Sequence, residues 1–253
     1  MKRNLKVREE VVKKEKFVRR EFPKLLPKNE NQRLFMEDME YDSLVVGHGS
    51  AGTGKTILAC YHAAKQLHTG QIKKIILIRA YQPLAGRSIG FLPGNADEKL
   101  LPFYRQMIDY FEDCFGKSST EIHLKTKAIE ICSLETIRGR SWSDCIVICD
   151  EGQNLCVQEI QALMTRMGER CQMIVCGDSS GIQTDIKKGM DGLTYLQKIV
   201  SKYSIEDSSF IRFTRDDIVR SGITKEFVTA FEEEYELEQL GKGIVNEKEK
   251  GKK

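Results

Sequence analysis

No stretch of this chain approaches the ~18 consecutive apolar residues of a membrane-spanning helix, and the N-terminus lacks a signal's apolar run and small-residue cleavage site. A cytoplasmic protein is the expectation. No C-x-x-C pair occurs either. The eight cysteines (Cys60, Cys114, Cys132, Cys145, Cys149, Cys156, Cys171 and Cys176) fall mostly inside apolar runs, which favours buried free thiols over a disulfide framework. The four histidines show no ligand spacing with them, so a zinc site has no support. Internal repeats are absent. With 253 residues, 40% apolar and 30% charged, the composition excludes a disordered chain and leaves room for one large or two small domains. A general excess of positive charge is missing as well. Residues 1–28 hold eleven basic and four acidic side chains, leaving 29 basic against 33 acidic for the rest. An anionic partner would be met by this arm or by a local patch, not by the body.

What is present is alternation. Residues 1–28 read as a basic helical arm, with Val7, Val11 and Val18 near one stripe, and Asn29 or Asn31 caps a short helix after it. Apolar runs follow at Ser43–Gly47, from Ile72, and at Asp144–Cys149, Gln172–Cys176 and Ser209–Phe213. Helical patterns cover Thr56–Leu67, Lys99–Phe111, Val157–Met167, Met190–Lys202 and Thr224–Leu237. Strands apolar on both faces, separated by helices, predict an α/β fold of three layers, α/β/α, around a mainly parallel sheet. Residues 29–240 form the expected domain, and 241–253 read as a charged flexible tail.

The strongest local signal is Gly49-Ser50-Ala51-Gly52-Thr53-Gly54-Lys55-Thr56, a full match to the P-loop pattern between a predicted strand and a predicted helix. The glycines let backbone N–H groups curl around a β-phosphate. Lys55 reaches the β- and γ-oxygens, and the Thr56 hydroxyl ligates Mg²⁺. The strand Cys145–Cys149 runs into Asp150-Glu151, a Walker B pattern in which Asp150 holds Mg²⁺ and Glu151 orients and deprotonates water. That glutamate favours hydrolysis over phosphate transfer to a metabolite. Gly177-Asp178 follows another apolar run and brings a further carboxylate to the same sheet edge, to sense the γ-phosphate or hold the water.

Taken in order, GSAGTGKT, Arg79, GFLPGNADEKLLPFY from Gly90, RGRSWSDCIVICDEGQN from Arg138, LMTRMG from Leu163, CGD from Cys176 and DIVRSG from Asp217 resemble the motifs of the PhoH family of P-loop ATPases. The resemblance spans roughly residues 30 to 235. It implies a RecA-like core akin to superfamily 1 helicases, ATP hydrolysis with Mg²⁺, and action on single-stranded RNA or DNA. It also implies an adenine contact from Gln32, nucleotide-to-strand coupling through Gln153, and transition-state stabilisation by Arg220, with Arg138 and Arg140 candidates for that duty or for a subunit interface. Two departures stand out. Gln183 follows Gly177-Asp178 two residues later than in the family's G-D-x-x-Q, and Gly152 replaces the common Ala, which should only widen backbone freedom.

About 20 residues follow the span of the resemblance, so a second RecA-like face is expected from a neighbouring subunit. A homo-oligomer in the form of a hexameric ring is the expectation, with Arg220 or Arg140 acting in trans. No set of spaced carboxylates near the N-terminus marks an attached nuclease domain. The leading reading is a strand-stimulated ATPase that unwinds or remodels nucleic acid. Against it stand a nucleotide-state switch controlling assembly or partner binding and, more weakly, small-molecule phosphotransfer. Tyr81, Phe91, Phe103, Tyr104 and Trp142 are the aromatic candidates for base stacking, Trp142 first.

Overall fold

The computed structural model describes residues 21–80, 96–179, 191–220 and 222–250. Residues 1–20 of the predicted basic helical arm, Tyr81, Phe91, Gln183 and the whole of GFLPG (Gly90–Gly94) lie outside them. Helix α1 (Glu30–Tyr41) starts at Asn29, whose side-chain Oδ1 accepts the Gln32 N–H at 2.8 Å. Then follow β1 (Leu44–Gly49), α2 (Lys55–His68), β2 (Lys74–Arg79), α3 (Ala96–Phe115) and α4 (Lys117–Lys125). The chain continues through β3 (Ile129–Ile131), β4 (Cys145–Asp150), α5 (Val157–Met164), β5 (Cys171–Gly177), α6 (Gly192–Tyr203), β6 (Ser208–Phe213) and α7 (Ile223–Lys250).

The six strands form one parallel sheet in the order β3-β2-β4-β5-β1-β6. Successive side chains of a strand point to opposite faces, and both faces are apolar here. Val45, Ile75, Leu77, Ile146, Ile148 and Ile174 pack with Phe35, Leu58, Met107 and Phe111 of α1, α2 and α3. On the other side Val46, Ile76, Ile78, Val147 and Val175 meet Ile160, Leu163, Leu193 and Leu196 of α5 and α6. These two packed layers explain why the strands read as unbroken apolar runs. Seven of the eight thiols are buried, and none forms a disulfide. No helix among the described residues is long and apolar enough to cross a membrane.

Three features differ from the sequence reading. Strand β3 and helix α4 went unread: β3 is only three residues long, and α4 is short and polar. Residues 21–27 are not helical; Phe22 lies against Tyr61 and His68, with ring centroids 5.5 and 5.1 Å away. Helix α7 carries the backbone on to Lys250, where a flexible tail was expected from residue 241. Its run of Glu and Lys consists of good helix formers, which offsets the two glycines.

Phe35 is fully buried and meets Phe213 edge to face at 5.6 Å, so it joins α1 to the outer strand β6. Truncating it in Phe35→Ala is expected to cost about 3–5 kcal/mol, read as a lower midpoint in urea denaturation. A midpoint within error of the parent chain would refute the anchoring role.

Candidate nucleotide-binding site

Every strand of a parallel sheet presents its C-terminal end to the same edge, so the ends of β1, β2, β4 and β5 meet there. The loop from Gly49 to Gly54 leaves β1 and opens α2. Gly49 has φ +119°, and a Cβ on it would fall 1.9 Å from the Phe213 carbonyl oxygen, so only glycine passes. Gly54, at φ +89°, is the N-cap of α2 and lies against the Gln32 amide. The loop borders a cleft of about 300 Å³, with Lys55, Thr56, Asp150, Glu151, Asp178 and Arg220 among its lining residues.

Lys55 folds back across the loop. Its Nζ donates to the carbonyls of Gly49 (3.0 Å) and Ser50 (2.7 Å) and to Thr53 Oγ1 (3.1 Å). Burial pushes its pKa down, opposed first by Asp178 and then by Cys176, Asp150 and Glu151. The Thr56 hydroxyl donates to Asp150 Oδ1 at 2.9 Å. Burial pushes Asp150 above the usual carboxylate range and the neighbouring Glu151 adds to this; Arg79 and Thr56 pull it back. Two hard oxygens this close are the donor chemistry Mg²⁺ takes, and both residues line the cleft.

Glu151 has a left-handed backbone (φ +57°) and both of its carboxylate oxygens are engaged. Oε1 accepts from Arg79 Nη2 at 2.9 Å and Oε2 from Gln153 Nε2 at 2.7 Å. Gln153 is buried, and its Oε1 accepts the Asp178 N–H at 2.8 Å, so one side chain links the ends of β4 and β5.

The remaining predicted residues divide into those brought to the cleft and those kept from it. The Arg220 side chain lies over Gly52, where a Cβ would come within 3.1 Å of its Cδ, and the Val219 N–H donates to the Gly52 carbonyl. Asp217 fixes this segment from below, accepting from Asn31 Nδ2 (2.7 Å) and the Thr214 N–H (2.8 Å). Gln32 sits behind the loop, outside the cleft lining. Its Nε2 donates to the Thr53 carbonyl at 2.8 Å and its Oε1 accepts the Lys28 N–H at 2.8 Å. It braces the P-loop in this structure. Arg140, expected at the cofactor, is held at the β3 edge by Glu130 Oε1 (2.7 Å) and Cys132 Sγ (3.2 Å). Trp142 and Tyr104 are buried in the two cores, so neither offers an exposed ring face for stacking.

Sequence reasoning overlooked four residues here. Gln106 and Tyr110 of α3 form part of the cleft wall, and no motif flags them. Arg79 carried no role although it stood within the resemblance. Glu232 of α7 is buried, and its Oε2 accepts from Ser50 Oγ in the P-loop (3.0 Å) and from Arg215 Nε (3.2 Å). Burial raises its pKa.

Known proteins agree with the motif reading. The family model described as "PhoH-like protein" matches residues 24–232. A PhoH-like protein of Bacillus subtilis is 38% identical over 208 residues, covering 82% of this chain and 64% of the relative. One from Mycobacterium leprae is 34% identical (85% and 60% covered), and Protein PhoH of Escherichia coli K12 is 30% identical (82% and 58%). The chain thus spans about 60% of the length of these curated relatives. Among solved structures, the large terminase of a thermophilic bacteriophage in complex with ADP aligns with a TM-score of 0.47 at 11% identity, covering 79% of this chain and 48% of that one. The Pif1 helicase of Candida albicans aligns at 0.38 and 17%, covering 76% and 42%.

Gly152 is set by packing and not by backbone freedom. A Cβ there would lie 2.7 Å from Val175 Cγ1 and 3.3 Å from both Cys176 O and Leu193 Cδ2. Gly152→Ala is therefore expected to destabilise the chain by about 1–3 kcal/mol in urea denaturation. Unchanged stability would show that Val175 yields freely.

Proposed function

From the premise that this chain belongs to the PhoH family, whose model spans residues 24–232, we propose that it binds and hydrolyses ATP, with hydrolysis coupled to single-stranded RNA or DNA. What supports this reading is the convergence of Lys55, the Thr56–Asp150 oxygen pair, Glu151 and Asp178 in one cleft at the sheet edge. Incoming phosphates replace the loop carbonyls as acceptors for Lys55, which needs only to turn away from Gly49 and Ser50. Loop N–H groups and the start of α2 hold the β-phosphate. Thr56 and Asp150 would hold Mg²⁺, which neutralises phosphate charge when bound. Glu151 takes the proton of the attacking water, Asp178 orients that water, and Arg220 stabilises charge on the γ-phosphate. Its packing on Gly52 of its own P-loop favours action in cis.

The strand, in this reading, is met by the basic residues of 1–28 and moved by a homo-oligomer in the cytoplasm, whether a ring or a smaller assembly. A nucleotide-state switch is the second reading. It is favoured by Glu232 resting on Ser50 while the same helix exposes Ile223, Phe227, Phe231 and Leu237.

Steady-state hydrolysis of ATP with Mg²⁺, with and without single-stranded RNA and DNA, separates the two. Several-fold stimulation by a strand is expected. Lys55→Ala should abolish nucleotide binding, and Glu151→Gln should keep binding but lose turnover by about 10²–10⁴-fold. Turnover indifferent to every strand would transfer the case to the switch.

A further inference from the structure

We infer that Arg79 is the positioning residue of the proposed base Glu151, an inference that rests on the hydrolytic reading above. Arg79 is the last residue of β2 and pairs in register with Asp150, so its side chain starts one strand away from the acidic edge. Its guanidinium spans two elements: Nη2 donates to Glu151 Oε1 at 2.9 Å and Nη1 to the Phe103 carbonyl at 2.5 Å. The Arg79 N–H in turn donates to the Tyr104 hydroxyl (3.0 Å), which donates to the Cys132 carbonyl (3.2 Å). Main chain and side chain are thus both tied to α3.

Two other duties fit the geometry less well. Arg79 is not among the residues lining the cleft, as a phosphate-binding arginine would be. Its Nε forms an ion pair with Asp150 Oδ2 at 3.9 Å, beyond hydrogen-bond range, so the carboxylate whose orientation it fixes is that of Glu151. A planar fork is needed for this task, because one group must reach a carboxylate and a helix carbonyl together. Glu151 needs holding: a non-glycine residue at φ +57° stays there only when its surroundings over-determine it. With Arg79 on one oxygen and Gln153 on the other, the carboxylate plane is fixed. Since a carboxylate offers about four acceptor positions, lone pairs remain for water. Through Phe103 and Tyr104 the position of the base is tied to α3.

The test is a double-mutant cycle in the full chain: Arg79→Met, Glu151→Gln and the double variant, with kcat and KM for Mg·ATP and fluorescent-ADP affinity for each. Arg79→Met should lower kcat on the order of 10- to 100-fold, with KM and ADP affinity little changed. Combined with Glu151→Gln it should add no further loss, because the group it positions is already disabled. Arg79→Lys, which keeps the charge but not the fork, should restore kcat only in part. Multiplicative losses, a change confined to KM, or wild-type kcat in both Arg79 variants would each overturn the inference. Absence of hydrolysis by the parent chain, with ADP still bound, would instead defeat the hydrolytic reading.

Discussion

Parallel pairing of β4 between β2 and β5 governs the geometry of the cleft. In that register Arg79 lies opposite Asp150, and Cys149 opposite Val175, two residues before Gly177. Strand β1 adds His48 opposite Gly177, which brings Gly49 and the P-loop level with the acidic pair. Because side chains alternate with a period of two, a slip of one residue would reverse both faces of a strand and expose or crowd two apolar cores at once. The cores thereby enforce the register, and the register assembles the site.

Charge in the cleft is closely opposed. Lys55 is buried among Asp150, Glu151 and Asp178, and each of these groups is costly to leave unpaired at low dielectric. Neighbours supply the compensation: loop carbonyls hold the ammonium, Thr56 the Asp150 carboxylate, and Arg79 with Gln153 the Glu151 carboxylate. A polyanion accompanied by a divalent cation would substitute for the loop carbonyls at Lys55 and for the Thr56–Asp150 bond, while Arg79 and Gln153 keep their hold on Glu151.

Much of this was legible in the sequence, for identifiable reasons. Four of the five strands first read are buried on both faces and the outer strand β6 still carries Phe210, Ile211 and Phe213, so all five stand out, and the P-loop is a local pattern that its backbone demands. The same signals fail for β3 and α4, which are short or polar. Spacing cannot reveal a side-chain pair 72 residues apart, which is why Arg79, though part of the resemblance, carried no role while Glu151, beside Asp150, did. Arg140 shows the converse limit. A motif gives the order of residues along the chain, whereas Glu130 on a strand that went unread decides where this guanidinium points. Gly152 looked like a gain in freedom because Val175, its constraint, comes from the next strand.

Helix α7 is held by charge and leaves its greasy side bare. Arg215 grips Glu232, Glu233 and Glu236, while Phe227 and Phe231 stand in solvent with ring centroids 5.7 Å apart. Such a helix responds to ionic strength in two opposite ways. Salt screens its ion pairs with the body, and excluded salts such as sulfate strengthen the tendency of its aromatic face to be covered. Added electrolyte therefore weakens the ion pairs that hold α7 to the body while raising the cost of leaving Phe227 and Phe231 in water.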